Sequence, residues 1–300
     1  MNKIYIKVAL ALLGIAGYMQ NVAFASETDG VSLREMSNLR PSESKVFEEY
    51  KDVLNDSYDE TIEVIRYVHP TLDLLVKLSE VDVHDYSAYS TENGHKIYNK
   101  KIGNMDIGRL DFTIPSAYKY LDVVRHYWDF KYDKTPDNKI INGKVARLYC
   151  KNYVVFEKHN PDPNDTPLKK IYTLGSRRPI PKSTEILCPS RILNYDGEIN
   201  KETELTKVYK NQKRAERNID PEEALVNLGD NLSGFAIKND EDNDQVLVTY
   251  INAIYDNGNS TEFADNKRQR DHEYTKIIKL AQRIIANDYD YPPNMFVSTQ

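Results

Sequence analysis

The stretch Tyr274-Thr-Lys-Ile-Ile-Lys-Leu-Ala-Gln-Arg-Ile-Ile285, near the end of the chain, decides how the rest of it folds. Its apolar residues recur at the i, i+3, i+4, i+7 spacing of one helix face, and lysine, glutamine and arginine occupy the opposite face. Such a stripe is stable when it packs on another apolar surface. We therefore predict a C-terminal amphipathic helix over 271–287 that covers a sheet through Ile277, Ile278, Ala281, Ile284 and Ile285.

The sheet under that helix is predicted from segments with a hydrophobic period of two. In 109–114, Leu110, Phe112 and Ile114 alternate with more polar residues, and 245–255 is apolar on both faces. Asn93-Gly94 and Gly103-Asn104 are hairpin signals, and they separate strands over 86–91, 95–101 and 109–114. Further strand-type segments are 140–141, 145–150, 153–158, 170–174, 184–187 and 235–238.

Helical patterns precede and interrupt these strands. Ser42 or Ser44 can cap a helix through Glu48, and 60–68 has helical spacing that Pro70 interrupts before 71–78 resumes it. The charged stretch 200–228 is also compatible with helix. A further helix runs from a Ser116 cap to Asp129, with an inner stripe of Ala117, Leu121, Val124 and Trp128. This order predicts an α+β fold in which a curved antiparallel sheet surrounds the C-terminal amphipathic helix.

The two ends of the chain have the patterns of processing and linker segments. Lys3 and Lys7 precede a short apolar stretch, and Ala23-Phe-Ala25 is a cleavage signal. Residues 1–25 are therefore predicted to be a secretory signal peptide, with a retained anchor as the alternative. We expect a flexible leader at 26–41, one domain at 42–290 with a charged insertion at about 195–228, and a tail at 291–300. Cys150 and Cys188 are either bridged or buried as thiols.

Composition and motifs exclude several function classes. The 40 Lys+Arg against 46 Asp+Glu give a formal charge of −6, which argues against a nucleic-acid partner. The chain contains no H-E-x-x-H, C-x-x-C, G-x-S-x-G or Gly-rich phosphate loop, so we predict neither an enzyme nor a bound metal or cofactor. Asp240-x-Asp242-x-Asp244 begins like a calcium loop, but Gln245 and Ile251 replace the required Gly and Glu, which favours a solvated hairpin turn.

One helix face carries a candidate ligand site. Arg125 and Asp129 are four residues apart beside Trp128, the only tryptophan. The pair is either a partly exposed ion pair or the lining of an interior cavity. In a cavity the guanidinium would suit a phosphate, while the carboxylate and aromatic faces would suit a quaternary ammonium. Tyr149 and Tyr172 are the candidates for those additional faces.

A second charged segment has two interpretations. Lys207, Lys210, Arg214 and Arg217 share one face if 207–217 is helical. The segment is either a solvated surface insertion or a docking face for anionic membranes.

Four stretches resemble a known family. They are the signal peptide through Ala25, Asp106-Ile-Gly-Arg-Leu-Asp-Phe-Thr-Ile-Pro115, Tyr127-Trp-Asp129 and Gly143-Lys-Val-Ala-Arg-Leu-Tyr149. They look like the fam-a proteins of malaria parasites, which carry a START-like domain, the fold of StAR-related lipid transfer proteins. Arg125-x-x-Trp128-Asp129 is also similar to the R-x-x-W-D stretch of the phosphatidylcholine transfer branch. Phe130 departs from the proline of many members, and the 195–228 stretch is longer than this fold requires.

The resemblance implies a structure and a function. The structure is a helix-grip fold whose sheet encloses a tunnel for one lipid, with Arg125 and Asp129 at the phosphocholine group. We therefore predict a lipid-sized apolar cavity between the sheet and the helix at 271–287. The function is a secreted, monomeric phospholipid carrier, with phosphatidylcholine favoured, that contacts membranes transiently. The implied destinations are the parasitophorous vacuole and the host erythrocyte, although no R-x-L-x-[E/Q/D] export motif occurs. The alternative is a secreted surface or host-interaction protein that keeps the fold without transferring lipid.

Overall fold

The predicted strands form one antiparallel sheet in a computed structural model that describes residues 50–90, 95–128, 144–159 and 170–287. The nine strands of the described residues lie in the order β1-β2-β3-β9-β8-β7-β6-β5-β4. Their bounds are β1 Ser87–Ser90, β2 Lys96–Ile102, β3 Met105–Pro115, β4 Lys144–Tyr149, β5 Tyr153–His159, β6 Lys170–Ile180, β7 Ser183–Leu187, β8 Leu232–Asp240 and β9 Gln245–Tyr255.

Five α-helices accompany the sheet in the described part of the chain. They are α1 Tyr58–Glu80, α2 Tyr120–Trp128, α3 Thr206–Asn211, α4 Pro221–Leu228 and α5 Ser260–Ala286. The predicted helix near 42–48, the Asn93-Gly94 turn and the strand at 140–141 lie outside the described residues.

The sheet is covered on both faces. On one face Leu75 of α1 packs so close to Gly234 of β8 that an added Cβ would lie 2.7 Å from its Cδ2. On the other face α5 approaches β3 at Gly108. Neighbouring residues of β6 show the alternation, since Arg177 stacks on Trp128 of α2 and Arg178 pairs with Asp73 of α1. The α+β class and the antiparallel sheet around a C-terminal amphipathic helix are therefore confirmed.

Pro70 does not interrupt the first helix as predicted. Helix α1 is continuous through it, and Val68, His69, Thr71 and Leu72 on either side are all buried. Tertiary packing on the sheet outweighs the lost backbone hydrogen bond. Ser57 is the N-cap of α1, and its side chain accepts a hydrogen bond from the backbone N–H of Glu60.

The charged segment 195–228 contributes buried residues to the core, and its status as an insertion stays a prediction. Leu205 and Tyr209 are fully buried against α1. The Glu60 carboxylate of α1 accepts hydrogen bonds from the backbone N–H of Leu205 (2.8 Å) and from Nη1 of Arg147 in β4 (2.6 Å). Arg147 also donates to the backbone carbonyl of Thr203 at 2.7 Å. This buried network fastens the segment to both α1 and the edge strand.

The four basic residues of 207–217 do not share a helix face. Helix α3 ends at Asn211, and α4 begins only at Pro221 after the Asp220 cap. Arg214 pairs with Glu63 at 3.5 Å and Arg217 with Asp73 at 3.2 Å, both on α1. Lys207 and Lys210 are exposed. The predicted continuous basic face is therefore wrong, because two of its members turn toward acidic residues of the first helix.

Several smaller predictions are also settled. Cys150 and Cys188 are reduced and buried. The Asp240–Asp244 segment forms the exposed β8–β9 turn, where Asp240 accepts hydrogen bonds from Asn243 and Gln245. No helix among the described residues is long and apolar enough to span a bilayer.

Candidate functional site

Helix α5 grips the sheet through the predicted stripe, with one exception. Ile277, Ile278, Ala281 and Ile284 are buried, whereas Ile285 is 40% exposed. Ile285 lies one helical step beyond Ile284 in the last turn, so its side chain leaves the contact. The helix also begins eleven residues before the predicted start, at an Asn259 cap whose side chain accepts from the backbone N–H of Glu262.

Helix α2 holds the second half of α5. Tyr127 Oη donates to the backbone carbonyl of Ile277 at 3.1 Å. Lys119, just before α2, donates to the carbonyls of Ile284 (3.0 Å) and Ile285 (2.9 Å) at the α5 C-terminus. A lysine at this position satisfies terminal carbonyls and complements the negative end of the helix dipole.

Aromatic rings fill the space between the central strands, α2 and α5. Ring centroids are 6.3 Å apart for Phe112 and Tyr127, 4.8 Å for Tyr127 and Phe235, 4.6 Å for Phe235 and Tyr250, and 6.0 Å for Tyr250 and Tyr274. We call these five residues the aromatic column. The column occupies the part of the concave face where a lipid-sized apolar cavity was predicted.

A cavity of about 400 Å³ lies instead beside the middle of α5. Its walls are α5 between Asn266 and Lys276, the start of β8, the last part of β9, Lys158 of β5 and the Cys188–Ser190 segment. The lining is rich in charged and hydroxyl- or amide-bearing side chains. The cavity is therefore polar, in contrast to the apolar cavity that the sequence predicted.

A buried ion pair fixes one wall of this cavity. Arg270 Nη2 lies 2.6 Å from Asp106 Oδ1, and both side chains are about 95% buried. Burial alone raises the pKa of Asp106, but the Arg270 charge and hydrogen bonds from Asn99, Arg270 and Lys267 outweigh burial and hold that pKa below its usual value. Asp106 is thus a carboxylate that anchors α5 to β3.

Gly108 permits this close approach. A Cβ at Gly108 would lie 2.1 Å from Tyr274 Oη and 3.0 Å from Arg270 Cδ. Any larger residue at position 108 would push α5 away from the sheet.

One carboxylate lines the cavity itself. Glu273 of α5 accepts hydrogen bonds from Tyr250 Oη (2.7 Å) and Asn252 Nδ2 (2.9 Å). Burial, followed by the negative charge of Glu273, raises the pKa of Tyr250 well above its usual value, so Tyr250 stays a hydrogen-bond donor.

Lysines and a thiol complete the lining. Lys158 Nζ donates to the backbone carbonyl of Pro189 at 2.7 Å, and burial lowers the pKa of Lys158. Burial, then the charge of Glu273, raises the pKa of the Cys188 thiol. Cys188 is therefore protonated and is not a nucleophile in this environment.

Arg125 and Trp128 of α2, which were predicted to bind a head group, do not line this cavity. Arg125 Nη2 donates to Asp122 Oδ1 at 2.7 Å, with 43% and 38% of the two side chains exposed. Trp128 is buried, and the Arg177 guanidinium lies 5.5 Å from its ring centroid. Asp129 lies outside the described residues, so the Arg125–Asp129 pair stays a prediction.

The two tyrosines of the predicted set are across the sheet from α2. Tyr149 Oη contacts Glu60 of α1 and Tyr209 of α3. Tyr172 Oη accepts a hydrogen bond from the backbone N–H of Ile199 at 3.2 Å, on the α1 side. The predicted grouping is corrected accordingly, because neither ring can face a ligand held by Arg125 and Trp128 through an intact sheet.

The inner stripe predicted for 116–129 is partly wrong. The backbone forms a 3-10 turn at Ala117–Lys119 before α2 begins, and Ser116 has φ 77° and makes no side-chain cap. Val124 and Trp128 of the predicted stripe are buried, together with Val123 and Tyr127. Leu121 is 74% exposed.

The sequence analysis missed Arg270 and Glu273, although a signal was present. Asn266, Arg270 and Glu273 precede Ile277 at spacings of four, three and four residues. They continue the apolar stripe of α5 as polar residues on the same face. A polar continuation of a buried stripe indicates that the helix covers a polar cavity there.

Comparisons with known proteins return likenesses to solved START-domain structures. No family model and no curated protein matches the chain. Human STARD10 is 18% identical over 70% of this chain and 77% of its own, with a TM-score of 0.39. Human StAR-related lipid transfer protein 5 is 10% identical over 76% and 99%, with a TM-score of 0.45. A STAR-related lipid transfer protein fragment from Xanthomonas axonopodis is 12% identical over 66% and 98%, with a TM-score of 0.39.

Proposed function

We propose that this chain is a non-enzymatic lipid-binding and transfer protein. It holds one phospholipid, with phosphatidylcholine favoured, between α5 and the concave face of the sheet, and exchanges it during transient membrane contact. The observation that carries the proposal is the partly enclosed cavity of about 400 Å³ between α5 and strands β8 and β9. An amphipathic helix closed over such a cavity is an arrangement that can shelter an amphipathic ligand.

The cavity sets a condition on this function. Its volume is at the low end of the roughly 300–1,000 Å³ usual for small-molecule sites. It suits a head group, and acyl chains require further space where the aromatic column now packs. Lipid uptake therefore requires α5 and the column to move away from the sheet.

The aromatic column also favours a second candidate function. Rings packed 4.6–6.3 Å apart replace the open interior that a permanent lipid tunnel requires. A secreted surface or host-interaction protein could retain this fold with its interior filled. The column is the specific observation that supports this alternative.

Lipid analysis of the purified full chain separates the two candidates. Native mass spectrometry is expected to find one co-purified phospholipid per chain, and fluorescent phosphatidylcholine is expected to move from donor to acceptor vesicles. The Lys279→Gln variant, changed at an exposed α5 position outside the cavity lining, is the control and is expected to carry and move lipid as the parent does. A chain that carries no lipid and accelerates no transfer would leave the interaction protein as the better account.

We also propose that the protein is a secreted monomer. The proposal rests on the n-region, apolar stretch and A-x-A signal of residues 1–25, with the parasitophorous vacuole and host erythrocyte as the proposed destinations. N-terminal sequencing of the protein released by an expressing cell is expected to begin at Ser26. Light scattering of the same material tests the monomeric state.

A further inference from the structure

The charges around the cavity are unequal. Three cationic side chains line it, from Lys158, Arg270 and Lys276, against the single carboxylate of Glu273. Asp106 balances Arg270, and Glu273 offsets one lysine. One positive charge remains in a partly enclosed space, where charge interactions are stronger than in bulk water. The cavity is therefore suited to an anionic group.

Arg270 carries a buried donor that the fold does not use. Nη1 donates to the backbone carbonyls of Asp106 (3.0 Å) and Asn252 (3.3 Å), and Nη2 donates to Asp106 Oδ1. Its Nε has no hydrogen-bond partner among the described residues, although the side chain is 96% buried. A buried N–H without a partner is uncommon in a native fold, and this one belongs to a residue that lines the cavity.

Lys158 adds donors at the opposite wall. Its ammonium carries three hydrogens, and the described residues include one acceptor for it, the carbonyl of Pro189 at 2.7 Å. Lys276 is half-buried on α5, two turns after Gln269 on the same wall. The three side chains line the same cavity, two from α5 and one from β5.

Resting on the proposed lipid function, we infer that this cavity binds a phosphoryl group through Lys158, Lys276 and the Nε of Arg270. A phosphate offers several acceptor oxygens. It can therefore accept hydrogen bonds from donors on both α5 and β5. The phosphoryl group belongs either to a phospholipid head group or to a soluble phosphorylated molecule. Glu273, held by Tyr250 and Asn252, then lies where it can contact a cationic substituent of the same ligand.

Lys276→Gln in the full chain is the main test, and Lys279→Gln is its matched control. Both lysines are on α5, but Lys279 is exposed and does not line the cavity. We expect calorimetric titration with inorganic phosphate and with glycerophosphocholine, at physiological salt, to show affinity about tenfold weaker for Lys276→Gln and unchanged for Lys279→Gln. Lys158→Gln, checked for folding by circular dichroism, should repeat the loss.

The two sources of phosphate give separate outcomes. Weakened phosphate binding together with weakened uptake from phosphatidylcholine vesicles identifies the lipid head group as the source. Weakened phosphate binding without any lipid uptake supports the site and overturns the proposed lipid function. Lipid uptake that Lys276→Gln does not alter overturns the site and leaves the function standing. Equal losses from Lys276→Gln and Lys279→Gln would overturn the site, because they would indicate nonspecific attraction.

Discussion

At the scale of single residues, the ion pair of Asp106 and Arg270 joins α5 to β3. The charges are 2.6 Å apart and shielded from water, so each depends on the other for compensation. The pair also places Arg270 at the cavity wall. The position of α5 and the lining of the cavity therefore both depend on Arg270.

Asp106→Asn is expected to destabilise the fold by about 3–5 kcal/mol, because it leaves the Arg270 charge buried without its counter-ion. Urea unfolding monitored by circular dichroism measures this loss. Asp242→Asn, in the exposed β8–β9 turn, is the control and should change stability little. Equal stabilities for the two variants would contradict the buried pair.

Gly108→Ala is expected to destabilise the protein by about 1–3 kcal/mol through overpacking. The new methyl group would lie 2.1 Å from Tyr274 Oη, so α5 or the strand must shift. The double variant Gly108→Ala/Tyr274→Phe removes that oxygen and should recover part of the loss in a thermal melt. No recovery would place the strain elsewhere.

At the scale of elements, α1 and α2 each carry a buried histidine, His69 and His126. Burial, followed by the charge of Arg178, lowers the pKa of His69 to about 4. Burial, followed by the charge of Arg125, lowers the pKa of His126 to about 4. Both imidazoles are therefore neutral in the folded protein near neutral pH.

Because of these two histidines, the free energy of unfolding falls as the solution becomes mildly acidic. The unfolded chain binds protons with an ordinary pKa near 6.5, so the contribution is complete above pH 6.5 and is lost as pH falls from 6.5 through 4. The full loss is about 3 kcal/mol per histidine. The urea midpoint of unfolding should fall steeply between about pH 7.5 and about pH 5. The His126→Gln variant should show a weaker dependence of this midpoint on pH. The His272→Gln variant, changed at an exposed site, should show the same dependence as the parent.

The segment that carries α3 is expected to behave as core. Leu205→Ala should cost about 2–5 kcal/mol, because Leu205 is fully buried beside α1. Lys207→Ala, two residues away and exposed, should be nearly neutral. Chemical denaturation measures the stability of both variants. Equal stabilities would indicate a solvated insertion, because such a segment would tolerate either change.

At the scale of the whole molecule, the distribution of charge argues against membrane docking through 207–217. Arg214 and Arg217 pair with Glu63 and Asp73, which leaves Lys207, Lys210 and Lys213 as the exposed lysines of the segment. The double variant Lys207→Gln/Lys210→Gln should sediment with phosphatidylserine liposomes as the parent does. A clear loss of sedimentation at low salt would restore the docking face.

The sequence alone predicted much of this architecture because secondary structure leaves a local periodic signal. Strand β9 was predicted with its observed bounds, and the buried stripe of α5 was predicted except for Ile285. Elements with weaker signals were cut short, such as β6, which extends to Ile180. Pro70 misled the prediction, since packing on both sides of it overrides a local preference.

The candidate site required the tertiary structure. Periodicity shows which face of an element is buried, but it does not show which residue lies across from that face. The sequence therefore determined the α+β class, the antiparallel strands and the covering helix. Folding decided that Arg125 pairs with Asp122, that Tyr149 faces α1, and that Arg270 meets Asp106 across 164 positions of chain. Those partners are distant in sequence, and only the packing of α5 on β3 brings the charges of the cavity together.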